Sequence, residues 1–449
     1  MMKLKTSYKK YQRFKNENNK NFKLLFYALL IGIIVGLVGA IFRIVLSYIE
    51  IFRVNLYENA GNSGFISWLW PILFAITGIS IALYLVRKFA PEASGSGVQE
   101  IEGALDGLRP MRWKRVLPIK FIASLFSLGS GLLLGREGPT IQLGANIGKM
   151  VKDTWGKSDI ESNSLVSAGA AAGLSSAFNA PFAGIIFVIE EMHGQFKFNF
   201  YSVAAIMIAA GAADFIVRIL VNSKPVIEIM VFPSPDIFGL WIFIILGLLC
   251  SIIGYVYNKL LVISLDLFKF SFKIPIIYTG ITVGLIIAII GMFFPNLIGG
   301  GYDLITKGVG HSFTLSFLLL LFIARLLLSI FSYSTGAPGG IFLPMLTLGV
   351  IFGMFFGTSM QHYFPDLISH PGVYAIAGMA GIFSATVRAP LTGLVLAIEM
   401  TSNYELILPL IVTTVIASVF TALLGNEPIY TTLLKRTLEN TKQEEYTKG

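Results

Sequence analysis

A 23-residue segment occurs twice in this chain, and the repetition constrains the fold more than any single residue. Ala168–Glu190 aligns with Ala377–Glu399 at a constant offset, so that Ala180-Pro181, Gly184 and Ile189-Glu190 match Ala389-Pro390, Gly393 and Ile398-Glu399. Upstream, Gly135, Pro139, Leu143 and Gly144 recur at the same spacing as Gly340, Pro344, Leu348 and Gly349. Both copies are apolar runs interrupted by Gly and Pro. Of 449 residues, 55% are hydrophobic and 13% charged, with a mean hydropathy of +0.75. A soluble domain carries roughly twice that charged fraction. Stretches such as Leu24–Ile41 and Leu240–Ile253 indicate membrane helices rather than the alternating pattern of a transmembrane β-barrel. The reading is therefore an all-α polytopic membrane protein made of two copies of one broken-helix design, a pattern that places a binding site near the midplane, where the breaks meet.

Spans are expected near 24–52, 66–87, 116–134, 140–151, 165–192, 200–221, 237–268, 274–294, 312–333, 340–359, 372–400 and 404–424. Several are shorter than the roughly 20 residues that cross a bilayer. Broken helices are tolerated at that depth only beside protein or a water-filled cavity. The expected organisation is a basic arm (1–23), a transmembrane domain (24–425, with repeats of about 24–222 and 237–425) and a short C-terminal helix and tail (426–449), with no regulatory domain. The net charge is +9, and the arm carries eight Lys or Arg against the single acid Glu17. With Arg109, Arg112, Lys114 and Arg115 it indicates cytoplasmic termini by the positive-inside rule, and a lipid rather than a nucleic-acid contact. No cleavable signal peptide is recognisable. Cys250, the single cysteine, forms no disulfide within the chain, and His193, His311, His362 and His370 lack metal-ligand spacing.

Glu137 is the costliest residue in this setting, since a carboxylate at bilayer depth marks function by default. It lies in Gly-Arg-Glu-Gly-Pro (135–139), where one helix stops and another begins. Backbone N–H groups left free at such a start attract anions, and the carboxylate is itself an anion. Three further features are ambiguous in isolation. Gly-Ser-Gly (95–97) is an anion loop or an ordinary turn; Gly339-Gly340-Ile341-Phe342-Leu343-Pro344 is a second amide cradle or a kinked span; Tyr430 is a ligand hydroxyl or an aromatic-belt anchor. Glu191, unlike Glu190, has no acidic counterpart in the second copy, where Met400 stands. It is either part of a directional proton path or an interfacial carboxylate at a helix end.

Together these motifs resemble the CLC family of chloride channels and chloride/proton exchangers, over about Ala90 to Leu438, and the bacterial exchangers in particular. The carrying residues are 95–97, 135–139, 340–344, the Asn-Ala-Pro to Ile-Glu-Glu-Met run (179–192) and Tyr430. The resemblance implies two inverted repeats with tilted helices, a homodimer with one pathway per subunit, and residence in the inner membrane. It implies that Ser96 and Tyr430 hydroxyls, with the amides of Ile341 and Phe342, coordinate chloride. Amides of Arg136, Glu137 and Gly138 would line an outer anion site. Glu137 would be the external gate and Glu191 the internal proton acceptor. Chloride and protons would be substrates, and no cofactor is implied. A passive chloride channel remains open as the alternative, with a membrane-embedded enzyme remote from both, because no nucleophile–base pair, metal-binding His pair or nucleotide loop is present. The one departure from the family pattern is Gln99, where Pro is usual; an altered inner anion site is expected from it.

Overall fold

A computed structural model describes residues 2–62, 64–156, 162–192, 199–269, 274–310, 313–368 and 370–448 of the chain; His193, His311 and the side chains of the arm up to residue 19 lie outside the described residues. Seventeen α-helices run through the described residues. The first half comprises α1 (Met2–Asn62), α2 (Leu69–Phe89), the short α3 (Val98–Leu105), α4 (Trp113–Gly129), α5 (Glu137–Trp155), α6 (Ser162–Phe178), α7 (Pro181–Glu191) and α8 (Phe200–Leu220). The second follows the same course with α9 (Leu240–Phe268), α10 (Ile276–Phe293), the short α11 (Tyr302–Gly310), α12 (Leu315–Ser334), α13 (Phe342–Tyr363), α14 (Pro371–Val387), α15 (Pro390–Thr401) and α16 (Ile407–Leu423). Helix α17 (Ile429–Lys448) packs against α3 and α14. Eight of the described helices are long and apolar enough to cross a membrane.

The expected spans 165–192 and 372–400 are each two helices. Asn179 and Arg388, at matched positions of the repeat, adopt left-handed backbone with φ of 52° and 65° and terminate α6 and α14. Ala180 and Ala389 then leave the helical region, with ψ of 76° and 75°, as the proline that follows each favours, and Pro181 and Pro390 start α7 and α15 at the position where a missing N–H costs nothing. The short helices α7 and α15 lie against each other, and each ends in a carboxylate that caps the other. Glu190 accepts from Leu391 N, Thr392 N and Thr392 Oγ1, while Glu399 accepts from Phe182 N and Ala183 N. An acid at a helix C-terminus opposes that helix's dipole; here it is offset by the N-terminal dipole of the opposite copy.

The centre of the molecule is built from α5, α6, α13 and α14, which are largely buried within the chain. Their close approach follows from composition. Gly144 of α5 meets the backbone of Gly169 in α6, and the matched Gly349 of α13 meets Gly378 in α14; a Cβ at any of these positions would strike the facing main chain. The peripheral helices present the large exposed apolar side chains, such as Leu320, Phe215 and Ile252, that a lipid environment requires.

Candidate anion pathway

The two copies meet at the breaks. Gly135 N donates to Gly340 O and Gly340 N to Gly135 O, both at 2.7 Å, a reciprocal bridge that sets the starts of α5 and α13 side by side. Gly339 N is likewise occupied by Gly95 O at 2.9 Å. The next N–H groups in each helix lack intrahelical acceptors because they belong to the first turn. These are the amides of Arg136, Glu137 and Gly138 on one side and of Ile341, Phe342 and Leu343 on the other; Pro139 and Pro344 then contribute none.

Glu137 is fully buried and its carboxylate turns into this gap. It faces its own N–H and that of Leu343, at a range where both act on it electrostatically, although Oε2 has no partner of hydrogen-bond geometry. On the α13 side it is the Leu343 amide that acts on the carboxylate. Oε1 accepts a hydrogen bond from Tyr302 Oη at 2.7 Å.

Ser96, Ile341, Phe342 and Tyr430 are gathered around the same gap, each with none of its surface exposed. Ser96 packs against Gly138, where a Cβ would lie 2.9 Å from the Ser96 carbonyl oxygen. The Ser96 and Tyr430 hydroxyls interact with each other, yet neither makes a hydrogen bond of good geometry with any described group. A buried hydroxyl without a partner costs on the order of 1–3 kcal/mol, which a ligand accepting two O–H donors would relieve. Tyr430 is therefore no belt anchor. The ring of Phe342 is enclosed by Phe178, Phe187 and Phe383 at 4.5–6.0 Å between centroids, so the start of α13 is packed in an aromatic cluster.

Glu191, the last residue of α7, lies within electrostatic reach of Tyr430 and beside the carboxyl of Glu102, which is 3% exposed. Glu191 is thus one of a pair of acids. Gln99 is the second residue of α3 rather than the first, is nearly buried, and its Oε1 is unpartnered.

Three contributors were not identified from sequence. Lys120, wholly buried in α4, donates to the carbonyls of Ala93, Gly95 and Ser96 at 2.9, 2.7 and 3.2 Å and fixes the Ser96 loop. A lone Lys inside an apolar run was the available signal. Glu102 lies one helical turn beyond the Ser96 motif. Tyr302 follows three glycines but is separated from Glu137 by 165 positions.

Residues 78–422 match the family model described as voltage gated chloride channel. An H(+)/Cl(-) exchange transporter ClcA of Vibrio cholerae is 44% identical over 437 residues, covering 96% of this chain and 93% of the relative. The ClcA of Vibrio campbellii is 44% identical over 426 residues, covering 94% and 91%. A crystal structure of a slow cyanobacterial Cl-/H+ antiporter superposes with a TM-score of 0.89 at 39% identity, over 93% of this chain and 98% of that one.

Proposed function

The chain belongs to the voltage gated chloride channel family, and we propose that it is a secondary active transporter exchanging chloride for protons across the inner membrane, with both termini cytoplasmic. The exchange activity named for its relatives supports this reading. The observation that carries it is the seat of the Glu137 carboxylate, held between the first-turn amides of α5 and α13 with the Arg136 guanidinium alongside, a place that favours an anion.

In this mechanism the ionised carboxylate and chloride are rivals for one position. Protonation cancels the attraction of the carboxylate for the surrounding N–H dipoles, so it leaves and chloride enters. Amides of Arg136, Glu137 and Gly138 hold the anion outside; the hydroxyls of Ser96 and Tyr430, with the amides of Ile341 and Phe342, hold it at the centre. Because none of these groups is a fixed cation, binding stays weak enough for release. Glu191 receives the proton from the inner side. The proton and the anion share Glu137 and part company below it, the anion passing Ser96 and Tyr430, the proton reaching Glu191. Chloride is substrate, not cofactor.

Two subunits would meet through α7, α8, α15 and α16, whose outer faces carry Phe182, Phe215, Leu391 and Ile411 exposed in one subunit. The pathway lies wholly within one subunit, so each would transport independently.

The test is transport by purified protein in liposomes. A chloride gradient should drive proton movement against a proton gradient. Chloride flux without proton movement would establish a passive channel of the same fold instead.

A further inference from the structure

We propose that Tyr302 is the outer latch of the Glu137 gate: its phenol holds the ionised carboxylate in the anion position and releases it at each protonation. The inference rests on Glu137 being the gate, and adds the element that sets how readily it opens.

Three observations converge on this residue. Tyr302 Oη donates to Glu137 Oε1 at 2.7 Å, the sole side-chain hydrogen bond to that carboxylate among the described residues. The Arg136 guanidinium lies 4.5 Å from the centre of the Tyr302 ring, so the ring is stacked and its hydroxyl aimed. On its outer side Tyr302 borders a cavity of about 730 Å³ that is also lined by Glu50, Arg53, Glu58 and Asp303. The phenol therefore stands between the gate carboxylate and a polar cavity from which a proton can come.

The repeat explains why a residue here can act on the site. Gly95 and Gly97 before α3 have φ of 58° and 87°; Gly299 and Gly301 before α11 have φ of 82° and 109°. Lys120 in α4 binds the carbonyls of Ala93, Gly95 and Ser96, and Arg325 in α12 binds those of Leu297, Gly299 and Gly300. Gly339 N bonds Gly95 O, and Gly299 N bonds Gly131 O. The loop before α11 is the counterpart of the Ser96 loop, pinned in the same way by a buried cation. One brings a hydroxyl to the inner side of the anion gap, the other a phenol to its outer side.

A hydrogen bond donated to a carboxylate favours its charged form, so the latch opposes both protonation and chloride entry. Other charged or titratable groups around Glu137 stay in place when the phenol is removed. Arg136 adjoins it; α1 brings Arg43, with Glu50 and Arg53 further out, and α11 brings Asp303. On the inner side α4 brings Lys120, α3 Glu102 and α17 Tyr430. The sequence of α6 carries no titratable side chain, and that of α13 only His362 and Tyr363 at its far end. Tyr302 keeps its own proton throughout; the proton that Glu137 takes comes from water in the cavity.

The experiment is Tyr302→Phe in the full chain, which preserves the stacked ring and removes the donor. Chloride binding is measured by calorimetry in detergent, and chloride and proton fluxes are measured against external pH in phosphatidylethanolamine–phosphatidylglycerol liposomes. Chloride should bind about tenfold more tightly, and the pH profile of transport should move about one unit toward alkaline pH, with the coupling ratio unchanged. In a Glu137→Ala background the same substitution should change neither. A Tyr302→Phe protein that elutes as wild type and gives superimposable binding and pH curves overturns the latch, as does an equal effect in the Glu137→Ala background. Absence of chloride-driven proton movement in the wild type would instead count against the exchanger reading, and the binding comparison would still decide the latch.

Discussion

Glu190→Gln should destabilise the protein more than Glu399→Gln, and the margin follows from the reciprocal caps. On Glu190, Oε1 accepts from Leu391 N at 3.0 Å, and Oε2 accepts from Thr392 N at 2.8 Å and Thr392 Oγ1 at 2.7 Å. On Glu399 the acceptors serve Phe182 N at 3.1 Å and Ala183 N at 2.7 Å. A glutamine keeps one oxygen, which best remains on the more buried donors, and turns its amino group toward Leu391 or Phe182. Hydrogen bonds to a charged acceptor contribute about 1.5–3 kcal/mol and neutral ones about 1, so each retained bond weakens by roughly 1 kcal/mol. The bonds to Leu391 and Phe182 are exposed, so water replaces much of what is lost there. Glu190→Gln then loses about 2–3 kcal/mol and Glu399→Gln about 1–2. Unfolding in mixed dodecylmaltoside–SDS micelles, followed by circular dichroism, reads the difference. Values for Glu190→Gln within about 0.5 kcal/mol of wild type, or the opposite order of the two variants, would refute the reciprocal-cap argument.

Further outcomes concern transport. Glu137→Ala should leave chloride flux and abolish proton coupling; flux assays under opposed gradients that still register coupled protons would remove Glu137 from the gate. Glu191→Gln should stop proton movement while sparing chloride, and an unaltered proton-to-chloride ratio would refute its role as internal acceptor. Gln99→Pro removes a buried amide whose Oε1 has no partner and restricts φ near the start of α3, so chloride affinity should change several-fold. Identical calorimetric titrations before and after would show that residue 99 is indifferent to the anion.

The residues that advertised themselves in the sequence were those whose backbone role demands a particular residue type. Gly135 and Gly340 mark helix starts because a Cβ at either would crowd the opposite copy or the Glu137 carboxylate, and Pro139 and Pro344 fall in a first turn where an N–H has no intrahelical acceptor. The Ala-Pro steps at 180–181 and 389–390 mark further breaks, although the apolar runs around them read as single spans. Asn179 and Arg388 hid those breaks: neither is the glycine that left-handed backbone favours, although Asn tolerates it better than Arg. Glu137 was visible because a carboxylate in an apolar run is costly wherever it points. Tyr302 and Glu102 were not, since a tyrosine after glycines and an acid in a short helix are ordinary features locally. Their significance arises only when α11 closes over α5 and α3 approaches α7, and no periodicity records those approaches. Lys120 is intermediate: its cost was legible, but its partners are carbonyls that every residue carries.

In the proposed exchange a carboxylate and a halide compete for one position between the starts of α5 and α13. Anomalous diffraction from crystals of Glu137→Gln grown in bromide reads that competition. A bromide peak in the gap now held by the Glu137 carboxylate, against the amides of residue 137 and Leu343, with the glutamine side chain swung away, is the predicted result. A glutamine that keeps the Tyr302 hydrogen bond, with no bromide in the gap, would contradict it.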